Sequence, residues 1–292
     1  MILKYIKIIS TLIFYSISAK GFSKENTESQ LNFSGNISIA SAYINRGMTN
    51  FPENEDIAIQ SFLKLNYQNF YVSFFNSKLG YSFSEIQKDE HLYRQAETQL
   101  NPALPAEEYE QALKQAYRYL SQNAKKASSF SYYENDFFIG YENSYARLDY
   151  DVNLKYLYYP ESDHTGGLEA GLFLKYPIRK DKDRVGISFE TYLNDVYFMN
   201  KGDTYIELNY ATLLYPGYYF NLYAGFSYFD KNGTYVKNST EDFVFRHTTF
   251  EFAHAFDQKE QAIGWMQYIV GGKDRFSERQ KNLLVAGLSY NF

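Results

Sequence analysis

Carboxylates and amines recur in this sequence at the spacing that puts neighbours-but-one on a common face of a β-strand. Asp149 and Asp151 lead to Lys155 in one alternating stretch, and Glu169 and Lys175 share the next. Asp136, Glu190, Glu207, Glu251 and Lys64 occupy equivalent polar places in other alternations. Side chains two apart on a strand point to the same side, so all ten charges gather on the faces opposite the apolar rows. Two chemistries fit such a surface. An acid-rich wet interior concentrates cations and repels anions. Alternatively the same groups pair off, with Lys155 and Lys175 cross-linking a packed polar core that has no open path. Asp149 and Asp151 together could hold Ca²⁺ with water, although lumen charge accounts for them with fewer assumptions.

Other chemistry finds little support. The chain has no cysteine, which removes thiolate metal sites, disulfides and cysteine nucleophiles together. His91 and His164 stand apart in the sequence, too scattered for a metal site. His247 and His254 fall in one stretch, His254 sharing a face with Phe250 and Phe252 as an interface aromatic would, and no nucleophile motif accompanies either. Neither an enzyme nor a bound cofactor is expected. The net charge is −5, which disfavours nucleic acid as a partner.

The elements that position these charges are strands. Aromatic residues make up 20% of the chain, with 31 Tyr and 25 Phe, yet mean hydropathy is −0.47. Alternation reconciles the two, because membrane-spanning strands hide their apolarity in every second residue. Leu148, Tyr150, Val152, Leu154, Tyr156 and Tyr158 give the clearest apolar row; Ile57 to Tyr67, Phe220 to Tyr228 and Phe33 to Tyr43 give others. The final ten residues, Leu283 to Phe292, alternate to an aromatic end, as expected of a strand that closes a barrel and engages the barrel-assembly machinery. About twelve such segments follow one another, separated alternately by short turns and longer polar loops. A sandwich has no reason to sort loops by parity, whereas an outer-membrane barrel does. The expectation is all-β: a transmembrane antiparallel up-and-down barrel of about twelve strands, in contact with outer-membrane lipids.

Two stretches depart from this scheme. Lys4 and Lys7 precede an apolar run and small residues through Gly21, the layout of a signal peptide over residues 1–21, with the barrel occupying 22–292. Between Ser84 and Lys126 the period turns helical: Ser84 can cap a first helix carrying Ile86, Tyr93, Ala96 and Leu100, and Pro105 opens a second with Leu113 and Tyr117. This hairpin lies in a long loop, on the extracellular side by parity, either as a partner-binding cap or as a structured loop folded over its own apolar stripe.

With the strands laid out, several stretches resemble the TorF-type family of outer-membrane porins of proteobacteria. They include GNISIASAYINRG at Gly35 to Gly47, Asn135 to Tyr141, Lys155 to Pro160, Gly202 to Asn209 and Asn221 to Phe226. The Tyr-x-x-Arg-Gly at Tyr43, Arg46 and Gly47 and the Tyr-Tyr-Pro at Tyr158 to Pro160 are the most specific. The resemblance implies an outer-membrane porin, and the acid-rich inward faces point to passive diffusion of small neutral or cationic solutes, with Arg46 and Tyr159 expected at the pore mouth. The helical insert is longer than that family's pattern, which leaves a non-conducting surface barrel, docking partners through the hairpin, as the alternative. A lipid-modifying enzyme is a minor third reading.

Overall fold

The computed structural model describes residues 31–50, 56–122, 124, 126–179 and 182–292; the signal peptide expected at 1–21 lies outside them. Twelve strands among these residues form one closed barrel in which each strand pairs with its sequence neighbours and the last with the first. They are β1 (Leu31–Ala40), β2 (Ala58–Tyr67), β3 (Phe70–Lys78), β4 (Tyr133–Tyr145), β5 (Leu148–Tyr158) and β6 (Gly167–Arg179), then β7 (Asp183–Tyr192), β8 (Thr204–Tyr215), β9 (Tyr218–Tyr228), β10 (Phe243–Ala255), β11 (Ala262–Gly271) and β12 (Leu283–Asn291). All pairings are antiparallel. Strands of 9 to 13 residues match the roughly 9–11 tilted residues that span a hydrocarbon core. No helix of the described residues is long and apolar enough to cross a membrane.

The outer wall follows the apolar rows. Ile139, Val152, Leu154, Leu208, Leu284 and Leu288 are exposed around its middle. Tyr67, Phe70, Tyr145, Tyr215, Tyr218 and Phe256 are exposed where the strands meet the short turns, and Tyr158, Tyr228 and Phe243 at the opposite rim. An aliphatic band between two aromatic girdles suits lipid and would be an aggregation surface in water. The short turns are tight: Gln68 (φ 55°) joins β2 to β3, and Ala146 and Arg147 (φ 50° and 86°) join β4 to β5, the left-handed pair that matches strand twist in a two-residue hairpin.

The β1–β12 ladder that closes the barrel reaches as far as Phe292. The Gly35 amide donates to the Phe292 carbonyl at 2.9 Å and the Phe292 amide to the Gly35 carbonyl at 3.0 Å. Gly35 has no side chain because the Phe292 ring covers it: a Cβ there would stand 2.4 Å from that ring.

The segment between β3 and β4 folds as a helical hairpin, α1 (Phe83–Thr98) and α2 (Ala106–Gln122). The cap of α1 is Ser82, not Ser84: Ser82 has extended backbone and its hydroxyl accepts the Glu85 amide. The reason is tertiary. Phe83 must start the helix so that its ring can enter a cluster with Tyr159 at 4.7 Å and Phe198 at 4.9 Å. A second correction concerns Tyr43, which the alternation places on the outward row of the first strand. β1 ends at Ala40 and the chain bends inward, so Tyr43 is buried and donates to Glu134 at 2.7 Å.

Candidate functional site

The inward rows of the strands carry the charges. Lys64, Asp136, Asp151, Lys155, Glu169, Glu190 and Glu251 are buried, whereas Asp149, Lys175 and Glu207 are half-buried. This division follows the barrel axis. Toward the short turns, on β4 to β8, the lumen side chains Glu142, Asp149, Lys175, Arg184, Glu207 and Asn209 keep partial access to solvent, while Asp151, Phe173 and Ser188 beside them are buried. Toward the long loops access ceases.

The closure is an ion-pair layer built around a loop residue. After β1 the chain makes a reverse turn in which Asn45 bridges to Met48, with Arg46 and Gly47 at positive φ of 51° and 70°. The turn drives Arg46 into the lumen, where its guanidinium donates to Glu169 at 2.6 Å and Glu190 at 3.0 Å. Lys155, across the β5–β6 ladder from Glu169, bonds the same carboxylate and lies 3.5 Å from Glu190. The rings of Tyr192 and Tyr205 stand 5.6 and 5.4 Å from the guanidinium carbon. Two cations and two carboxylates, each at most 5% exposed, form a desolvated network in which every charge has an opposite neighbour, the condition under which buried charge is tolerated. Gly47 is obligatory beside it, since a Cβ would stand 2.1 Å from the His247 ring. His247 in turn is held by the Tyr205 hydroxyl at 2.8 Å and Thr249 at 2.9 Å.

The remaining charges pair locally. Lys64 binds Glu142 at 2.7 Å and lies 3.9 Å above the Tyr71 ring. Asp151 accepts from Tyr71 at 2.9 Å and from the Asn153 amide at 2.9 Å. Glu251 accepts from Asn221 at 2.6 Å and from Gln267 at 2.5 Å. Asp149 sits directly opposite Lys175 in the β5–β6 register and accepts from Ser144, so Asp149 and Asp151 do not converge on one ion; no cluster of three metal-ligating side chains occurs among the described residues. Tyr205 donates to Glu207 at 3.0 Å. Tyr159 is buried in the aromatic cluster beneath α1 rather than at an open rim. His254 faces outward, stacked on Tyr218 at 4.2 Å.

No family model and no curated protein matches this chain. Solved structures do. The fold is shared with the KdgM porin. That structure aligns with a TM-score of 0.51 at 6% identity over 89% of this chain and 99% of its own. The NanC porin aligns at 0.47 with 8% identity over 89% and 99%, and an outer membrane channel from Pseudomonas putida F1 at 0.42 with 10% identity over 94% and 99%. At 6% identity the likeness to the KdgM porin shows the fold alone and leaves residue roles to the geometry described above.

Several lumen residues escaped the sequence reading although the signal was present. Glu134 and Glu142 continue the alternation of Asp136 along β4, and Arg184 continues that of Glu190 along β7. Arg246 had no such signal: a bulge between Phe245 and His247 interrupts the register of β10, which breaks the period at that point.

Proposed function

We propose that this protein is an outer-membrane channel of porin type, passing small neutral or cationic solutes, with its passage closed in the observed conformation by the Arg46 turn. The observation that carries the reading is the location of the closure. Half-buried charged side chains from the short-turn end to Glu207 are read as a solvated recess, and beyond them the Arg46 turn and its ion pairs fill the lumen. A barrel serving only as a scaffold gains nothing from carboxylates kept in contact with water halfway through the membrane. Over the whole lumen Glu134, Asp136, Glu142, Asp149, Asp151, Glu169, Glu190, Glu207 and Glu251 outnumber Arg46, Lys64, Lys155, Lys175, Arg184 and Arg246, which favours cations.

By loop parity the short turns face the periplasm and the helical hairpin faces outward, so solutes would meet α1 before the ion-pair layer. Kinship with the TorF-type porins and removal of residues 1–21 belong to the same proposal. In planar bilayers the refolded protein is expected to show openings that prefer potassium over chloride. Silence at both polarities, or a chloride preference, would overturn it. The docking alternative draws on one feature, the exposed aromatic side chains of Tyr93 and Tyr119 on the hairpin, and silence in the bilayer would favour it.

A further inference from the structure

The surroundings of Arg46 have the composition of a recognition site. A guanidinium is bound best by carboxylates that accept its fork of N–H donors and by aromatic faces that accept its delocalised charge. Glu169, Glu190, Tyr192 and Tyr205 supply both, and all four come from the barrel wall, on β6, β7 and β8. Only the guanidinium comes from a loop. The wall therefore presents a preformed cage, and the loop presents a ligand to it.

We propose that this cage is a binding site for solutes bearing a guanidinium group, occupied in the closed state by Arg46 as an internal ligand. The inference rests on the channel reading and names its solute class. Charge supports it. With Arg46 in place, Arg46 and Lys155 balance Glu169 and Glu190; without it, Lys155 alone faces two carboxylates. Glu134 and Asp136 lie within electrostatic reach of the same cations, and Asp136 Oδ1 is buried with no hydrogen-bond partner among the described residues. An uncompensated buried carboxylate is costly, so a vacated cage takes up a cation, and its planar acceptors and ring faces select a guanidinium over a hydrated alkali ion. An incoming solute and Arg46 then compete, which couples arrival of the solute to withdrawal of the turn that closes the path.

The test uses Arg46→Ala and Arg46→Gln, the second keeping side-chain length and hydrogen bonding without the charge. Folding is scored by heat-modifiable mobility, and N-methylguanidinium chloride is titrated calorimetrically into the detergent-solubilised barrels, with potassium chloride as the control. A folded variant is expected to bind N-methylguanidinium where the wild type does not, and adding Glu190→Gln should weaken that binding at least about tenfold, the equivalent of one hydrogen bond to a charged group. Absence of binding to a folded variant, equal binding of potassium, or indifference to Glu190→Gln overturns the site. If neither variant folds, the cage has no state without Arg46 and the inference falls. Bilayer recordings separate the two claims: a variant that binds while neither it nor the wild type conducts refutes the channel and keeps the site, whereas one that conducts without binding does the reverse.

Discussion

Asp149 and Asp151 share a strand face but not a role. Asp151 is 1% exposed and enclosed by Tyr71 and Asn153, while Asp149 stands beside Lys175 in the solvated recess. An ion in transit senses the second far more than the first, because a carboxylate held by its own donors projects less field into the passage. Asp149→Asn is therefore expected to move the reversal potential in a potassium chloride gradient toward the anion side, and Asp151→Asn to leave it nearly unchanged. Equal shifts would show that the recess extends past Tyr71. Gly47 offers a second test at this scale. Alanine there meets both the His247 ring and a φ of +70°, a conformation costing an L-residue about 1–2 kcal/mol. The turn should loosen and openings become more frequent, with the barrel intact; an unchanged open probability in single-channel records would mean that the turn does not gate the path.

The helical hairpin is tied to the barrel through α1. Gln87 exchanges two hydrogen bonds with the backbone of Asp163 in the β5–β6 loop, at 2.6 and 2.9 Å, and Glu90 accepts from Tyr197 in the β7–β8 loop at 2.6 Å. The α2 helix leans on α1, with Leu113 and Ala96 buried at their contact. Replacing Leu113 by Asp should release α2 to proteolysis while α1 and the barrel persist, as limited digestion followed by gel mobility would show; loss of the barrel would mean that the insert is structural to it. A cysteine introduced at Gln99 in this cysteine-free chain should react with an impermeant maleimide on intact cells, and labelling only after the outer membrane is breached would invert the topology. Strand existence, facing and loop parity were legible in the sequence because a two-residue period is local, and β5 is bounded by Leu148 and Tyr158 in pattern and structure alike. The start of α1 was not, because Ser82 and Ser84 are equivalent as local caps and the choice between them is made by Tyr159 and Phe198, far along the chain. The inward course of Tyr43 and Arg46 was hidden for the same reason: nothing nearby announces that Glu134, Glu169 and Glu190 await them.

For the molecule as a whole, closure satisfies backbone groups that lipid cannot. The protein should resist SDS until heated and migrate differently boiled and unboiled; identical mobility would count against a closed barrel. Phe292→Asp puts a charge on the ring position that covers Gly35 and is expected to lower the amount of folded protein recovered in the outer membrane, measured by the heat-modifiable band. Normal recovery would show that closure depends on the ladder alone.

The ladder at that closure is the short one. It runs from Gly35 opposite Phe292 to Ala40 opposite Gly287, shorter than the β1–β2 ladder, which continues to Leu31 opposite Tyr67. Antiparallel ladders loaded along their hydrogen bonds part bond by bond, so the barrel has a preferred tear line. Pulled from Phe292 by an atomic-force tip, it should shed β12 at the lowest force and then yield the remaining strands as hairpins, each rupture needing a stronger pull than the first.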